Sequence, residues 1–164
     1  MGDRNENEIV TKKRALEKAM KYCAYQERSH LEVRQKILSW GVPEEDADEV
    51  ISELVLENFL NESRFAEAYT RGKLRLKRWG KQKIKQGLLA KDVSEYCMKD
   101  ALESIDQEEY FSIFSAELEK KVASVQQPFS FEGKGKIAAY LIRRGWEPQM
   151  VWSELKQIEK DNDK

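Results

Sequence analysis

Histidine is scarce in this sequence: His30 is the only one among 164 residues. Cysteine occurs twice, at Cys23 and Cys97, far apart and in no CxxC or Cys/His grouping. A structural zinc site therefore lacks ligands. The Ser/His/Asp and Cys/His arrangements of nucleophilic catalysis find no sensible context either. The two thiols read as reduced, packed side chains of a cytoplasmic protein. Three prolines are few for a loop-rich fold. No stretch approaches the roughly 18 consecutive apolar residues of a membrane span. The start, Met1-Gly2-Asp3-Arg4-Asn5-Glu6, is polar and leads into no apolar run, so no secretory leader is expected. Phosphate-cradling GxxxxGK[ST] and GxGxxG loops are missing; Gly133-Lys134-Gly135-Lys136 is too short and follows no strand. The expectation is a protein with no catalytic residues, metal or cofactor.

Charge is what the chain has in abundance. Asp, Glu, Lys and Arg make up 36% of it, against about 25% in an average globular domain. A thin molecule with a high surface-to-volume ratio accommodates this better than a ball. Strand formers are sparse, while Ala, Leu, Glu, Lys and Gln dominate, so helix is expected throughout.

Self-similarity organises the chain. Ser29-His30-Leu31-Glu32-Val33 with Ile37-Leu38-Ser39-Trp40-Gly41-Val42 aligns with Gly80-Lys81-Gln82-Lys83-Ile84 and Leu88-Leu89-Ala90-Lys91-Asp92-Val93. Both align with Gly133-Lys134-Gly135-Lys136-Ile137 and Leu141-Ile142-Arg143-Arg144-Gly145-Trp146. Apolar positions then return at matching offsets: Ala47, Met98 and Val151; Ile51, Leu102 and Leu155; Leu54, Ile105 and Ile158. The pairs Val33/Ile37, Ile84/Leu88 and Ile137/Leu141 are four apart, which puts each on one helix face. Gly41 and Gly145 follow that helix, where a left-handed residue closes it; Asp92 takes the place in the second copy. Pro43 and Pro148 fall near the start of the next helix, where a missing N–H costs nothing. A leading helix precedes each pair. It is expected over Lys12–Gln26 on Leu16, Ala19, Met20 and Cys23. It starts again after Asn61 on Phe65, Ala68, Tyr69 and Leu76, and after Asp106 on Tyr110, Phe111 and Phe114, with Asn61 and Asp106 as N-caps.

The reading is an all-α fold of three tandem three-helix repeats in an elongated, curved array. The expected units are 12–58, 59–105 and 106–160, between a polar tail at 1–11 and a short one at 161–164. The third carries an extra loop near Gln126–Ser130. Units of about 50 residues bury too little alone, so neighbours are expected to pack on one another.

The net charge of −1 hides a segregation. Glu44 to Glu67 holds nine acidic residues and one basic residue, Arg64. Arg71 to Lys91 holds nine basic residues and no acidic one. Like charges without a local counter-charge repel, whereas mixed signs at i,i+4 would support a helix. The basic stretch therefore suits an acidic partner, either a phosphate backbone or an acidic protein surface. Lys81 and Lys134 each follow a glycine at an expected helix start. There a cation opposes the helix dipole, yet free N–H groups beside it make an anion site; the alternative is that both lysines swing into water. Trp146 reads as core and Trp152 as partly buried. Trp40 and Trp79 flank helix junctions, with packing the first reading for Trp79 and stacking on a base or partner the second.

One family resembles these residues jointly. Leu56-Glu57-Asn58-Phe59-Leu60-Asn61-Glu62-Ser63-Arg64-Phe65-Ala66 through Tyr69 is similar to the central signature of the RecX family of RecA regulators. Lys77-Arg78-Trp79-Gly80-Lys81-Gln82-Lys83-Ile84 to Leu88 resembles its second-repeat helix, and Glu27-Arg28-Ser29 through Leu38 and Gly41-Val42 its first repeat. The family favours Gly at the positions of Asn58 and Asp92. The resemblance implies a non-enzymatic, cytoplasmic, monomeric modulator. It would bind the RecA–DNA filament and its single-stranded DNA, and inhibit RecA ATPase, strand exchange and coprotease activity, in DNA repair and the SOS response. On this reading the contact set is Arg71, Arg75, Lys77, Arg78, Lys81, Lys83 and Lys85, with Arg34, Lys134 and Arg143 added from the wider concave face. Two other readings stay open: a helix-turn-helix-like DNA-binding module without RecA specificity, and a helical scaffold for another acidic protein. The sequence pI near 6.0 argues against strong DNA binding alone.

Overall fold

A computed structural model describes residues 10–164, which leaves most of the expected N-terminal tail outside the described residues. The described residues hold nine helices and no strand. In chain order they are α1 (Lys12–Tyr25), α2 (His30–Ser39), α3 (Glu44–Leu56), α4 (Glu62–Lys77), α5 (Lys81–Ala90), α6 (Glu95–Glu103), α7 (Gln107–Ser124), α8 (Phe131–Arg143) and α9 (Pro148–Asn162). They form three consecutive triplets, the architecture the repeat implies.

Local chemistry sets most of the ends. Asn61 and Asp106 cap α4 and α7, accepting from the N–H groups of Arg64 and Glu109 at 2.9 Å each. Each cap supplies an acceptor for a backbone donor the helix itself leaves open. Ser29 and Glu32 form a reciprocal capping box on α2. Gly41, Asp92 and Gly145 all sit at positive φ (82°, 57° and 97°) behind the middle helices. Asn58 and Arg78 close α3 and α4 in the same way, at 61° and 59°. Asn and Asp tolerate that region better than most residues, so these two positions keep the turn without glycine.

The repeat-equivalent pairs Val33/Ile37, Ile84/Leu88 and Ile137/Leu141 are fully buried. Burying such a side chain contributes about 1.5–3 kcal/mol. The packing between units differs from expectation. The first triplet closes a core of its own around Ala15, Ala19, Val33, Ile37, Val50, Leu54 and Leu60. The second and third share one core through Phe65, Leu74, Ile84, Tyr110, Phe114, Ile137, Leu141 and Trp146. The leading helix of the first two triplets packs along the third helix, α1 on α3 and α4 on α6, whereas α7 packs on α8 and α4. The accessible surface, 11166 Å², exceeds the about 8400 Å² of a compact monomer of 19.2 kDa, in keeping with an extended array.

Three expectations need correction. On α4 the buried stripe is Phe65, Ala66, Thr70 and Leu74, and Leu76 is 83% exposed. Phe111 is 43% exposed; Trp152, 46% exposed, is partly buried and Trp146 is fully buried, both as expected. Helix α8 begins at Phe131, not after Gly133, because Ser130 caps it by accepting from Gly133 N–H at 3.0 Å. Gly133 then sits under the inserted loop, where a Cβ would lie 2.1 Å from Gln127 O.

The joint between the last two triplets is made of backbone. Gly80 N–H donates to Arg144 O at 2.9 Å and Gln82 N–H to Gly145 O at 3.0 Å. A Cβ at Gly80 would lie 2.4 Å from the Gly145 carbonyl, and one at Gly145 would lie 2.5 Å from Lys83 N. Gly41 is the counterpart of Gly145 at a similar φ, but a Cβ there meets nothing within 4 Å. The two glycines separate conformational cost from crowding. Gly41→Ala is expected to cost about 1–2 kcal/mol, the left-handed penalty alone, and Gly145→Ala at least about 3 kcal/mol, read from urea unfolding midpoints.

Candidate functional site

The basic segment Arg71–Lys91 occupies the second half of α4, the α4–α5 turn and α5. Folding supplies three of its nine cations with counter-charges the segment itself lacks. Arg75 makes a two-pronged contact to Glu109 of α7, with Nε 2.6 Å from Oε1 and Nη2 3.2 Å from Oε2. That bond holds the Glu109 carboxyl below, and the Arg75 guanidinium above, their ordinary pKa values. Lys91 reaches Glu32 of α2 at 2.8 Å, and Arg71 lies 4.0 Å from Glu67. The segment is therefore less uncompensated than its sequence suggests.

Three more cations lie over aromatic rings. Lys73 Nζ and Lys83 Nζ stand 4.8 and 4.6 Å from the Trp79 ring centroid, and Lys81 Nζ stands 4.7 Å from that of Tyr110. The negative face of each ring attracts the ammonium by about 0.5–1 kcal/mol. Trp79 itself is partly buried against the shared core, which is the packing role. Lys77, Arg78 and Lys85 make no ion pair among the described residues. Lys77 and Lys85 are exposed and Arg78 is half-buried as the C-cap of α4.

The start of α5 is not the open anion site its Gly-Lys sequence suggests. The N–H groups of its N-cap and first two residues are taken: Gly80 by Arg144 O, Lys81 by the Tyr110 hydroxyl at 3.0 Å, and Gln82 by Gly145 O. The Tyr110 hydroxyl in turn donates to the Glu147 carboxylate at 2.8 Å. Burial, chiefly, pushes this phenol's pKa far up, so it stays a donor. Lys134 is corrected likewise. Its N–H bonds Ser130 O within α8 at 2.9 Å, and its ammonium pairs with Glu159 of α9 at 3.3 Å.

The remaining residues of the expected contact set are dispersed. Arg34 lies on α2, in the separate first core's triplet, and pairs with Asp48. Arg143 is exposed in the last turn of α8. The structure thus places Arg71, Arg75 and Lys77 on α4, Arg78 in the turn after it, and Lys81, Lys83 and Lys85 on α5, which packs against α4. The supporting residues Tyr110, Glu109 and Glu147 lie far along the chain, and no local spacing signals them. Among the described residues, no three His, Cys, Asp or Glu side chains converge as a metal site, and no helix is long and apolar enough to cross a membrane.

Comparison with known proteins bears on this face. The model of the RecX second three-helix domain matches residues 61–102, and that of the RecX first three-helix domain residues 15–54. Together they match half of the chain. The chain belongs to the RecX family. Regulatory protein RecX of Bacillus thuringiensis (strain Al Hakam) is 29% identical over 160 residues, as is that of Bacillus anthracis (strain A0248). The alignment takes in 96% of this chain but only 58% of either relative's length. In fold, the chain is similar to the crystal structure of RecX from Lactobacillus salivarius, with a TM-score of 0.77 at 23% identity over 89% of this chain and 97% of that one. A second crystal structure of regulatory protein RecX gives 0.79 at 20% identity, over 89% of this chain and 71% of that one. The second RecX match contains the whole α4–α5 basic face.

The Tyr110 side chain of α7 ties α5 to the start of α9. Tyr110→Phe leaves Lys81 N–H and Glu147 without their shared partner. It is expected to destabilise the protein by about 1–3 kcal/mol with helicity retained, as thermal unfolding followed by circular dichroism would report.

Proposed function

We propose that this RecX-family chain binds the RecA–DNA filament and restrains RecA's ATPase, strand-exchange and coprotease activities. It would act as a non-enzymatic cytoplasmic regulator of DNA repair and the SOS response. The observation that carries this reading is the cationic set Lys77, Arg78 and Lys85, which makes no ion pair among the described residues. It lies within the segment matched by the RecX second three-helix domain. A nucleoprotein filament presents phosphates and acidic side chains together, which suits a cationic face on a chain of net charge −1. An array of helical triplets offers a long surface to such a partner. Arg71 and Arg75 contribute their outer faces. Lys81 and Lys83 serve as much to hold Tyr110 and Trp79 as to meet a partner. Arg34, Lys134 and Arg143 are outlying contacts on this reading, since Asp48 and Glu159 already neutralise the first two.

The test is RecA ATPase on single-stranded DNA, titrated with this protein. Dose-dependent loss of turnover at or below equimolar protein is expected, and undiminished turnover at excess protein would sink the proposal. Salt-sensitive binding to DNA without RecA, combined with unchanged ATPase, would favour the DNA-module reading instead. Lys77→Glu with Lys85→Glu is expected to weaken inhibition by about tenfold or more, equivalent to about 1.4 kcal/mol, with the unfolding midpoint unmoved. Reversing Lys81 and Lys83 would confound the two readouts, because both lysines rest on rings of the core.

A further inference from the structure

The acidic stretch has no role in the function proposed above. It maps onto α3, where Glu45, Glu49, Glu53 and Glu57 recur every fourth residue along one face. Glu44, Glu45 and Asp46 are at home in the first turn, where carboxylates complement the helix dipole. Glu53 and Glu57 are not: they stand at the other end, against the dipole and against each other. The last turn of α3 contains no basic residue. Leu56, on the same side of the helix, is 79% exposed, and Val55 beside it 44%. Among the described residues, Glu49 alone of the row has an ion-pair partner, the exposed Lys12.

Helix α5 carries the inverse pattern. Lys81, Lys85 and Leu89 recur every fourth residue along one face, and Leu89 is 55% exposed. Lys81 lies in the first turn, where a cation opposes the dipole, and α5 has no acidic residue in that turn. Each helix thus holds like charges that its own backbone and its own neighbours in sequence disfavour.

The two rows also match in order and length. On α3, Glu49 and Glu53 are followed by Leu56; on α5, Lys81 and Lys85 are followed by Leu89. At 1.5 Å per residue the rows run about 10.5 and 12 Å. Laid side by side, carboxylates meet ammoniums and leucine meets leucine. The end of each row, Glu53 with Leu56 and Lys85 with Leu89, is exposed; Glu49 already pairs with Lys12 and Lys81 already lies over the Tyr110 ring, so these two must turn outward to join the contact. A net charge of −1 leaves little long-range repulsion between two copies.

We propose that α3 of one molecule docks on α5 of a second copy of this chain, in a head-to-tail contact. Such a contact uses two different surfaces, so each molecule keeps one free row and assembly can continue into short open chains. The contact forms without RecA or DNA, but it covers Lys81 and Lys85, so it competes with the filament binding proposed above. Its strength rests on exposed ion pairs, so salt weakens it: the screening length falls from about 10 Å at 0.1 M to 3 Å at 1 M. The monomer expected from the sequence is then the dilute or high-salt form.

Analytical ultracentrifugation of the full chain tests this. At ~0.05 M salt the weight-average mass is expected to rise above 19.2 kDa over an about hundredfold concentration range, and to return to it at ~1 M salt. A mass that stays monomeric throughout at low salt overturns the proposal. Two surface variants test the pairing itself. Glu53→Ala with Leu56→Ser, and Lys85→Ala with Leu89→Ser, are each expected to remain monomeric alone. Mixed at equal concentration they are expected to form a 1:1 dimer, because the first keeps a native α5 row and the second a native α3 row. Self-association of either variant at the wild-type level, or a mixture that stays monomeric, overturns the α3–α5 assignment.

Discussion

The start of α5 is the constraint on which the rest of the structure depends. A helix leaves its first N–H groups without partners inside itself, and α5 has no side-chain cap, since Gly80 stands in that position. The acceptors come from the turn behind α8: Arg144 O, Gly145 O and, through Tyr110, the hydroxyl of α7. Carbonyls can reach so close only where both surfaces lack a Cβ, which Gly80 and Gly145 provide. Arg144 completes the exchange by donating to Lys77 O at the end of α4. One backbone joint thus satisfies the start of α5 and helps satisfy the end of α4. It also draws the second and third triplets into one core.

That joint has a chemical consequence. Backbone donors bound to carbonyls and a phenol cannot also bind an anion, so the Gly-Lys pattern at residue 80 is structural. What remains to meet a partner is the side-chain charge around it, on helices whose positions the joint fixes. The first triplet is attached differently. It closes its own core, and its contacts to the second include ion pairs, Arg64 with Glu27 at 2.9 Å and Lys91 with Glu32 at 2.8 Å. Arg64 also donates to Asn58 Oδ1 and Asn58 O at 2.9 and 3.0 Å. The one cation in the acidic stretch therefore neutralises the carbonyl end of α3 while pinning α4 to the first triplet.

The local half of this arrangement was legible in the sequence. Helix order, the caps Asn61 and Asp106, the left-handed turns at Gly41, Asp92 and Gly145, and the paired apolar positions follow from spacing, because they are set within a turn or two of helix. The misplaced residues share a cause. Leu76 fits the periodicity of α4 as well as Leu74 does, and only the neighbouring helices decide which is covered. Phe111 packs on Phe114 at the rim of the core and stays 43% exposed. The start of α8 was misread because Ser130, a stronger cap than glycine, lies in the inserted loop. The counter-charges Glu109 and Glu32, and the rings beneath Lys73, Lys81 and Lys83, were only partly visible. Most are brought in from other helices, and pairings of that kind leave no periodic trace.

The same distinction bears on where binding energy can come from. An exposed cation held by a carboxylate gains little from a second anion, because the first must be displaced; Arg75 and Lys91 are in this state. A lysine over a ring is only weakly held, so Lys73, Lys81 and Lys83 can turn outward at a cost of about 0.5–1 kcal/mol each. Lys77 and Lys85 have nothing to give up. The basic stretch is therefore graded, from engaged to available, and the available end lies at the last turn of α4 and the outer face of α5. Because the joint fixes both helices relative to α8, those two lysines are presented on a rigid body, so a partner need not order their backbone. Held this way, two or three free cations can serve as a specific contact, where nine on a flexible segment would bind any polyanion.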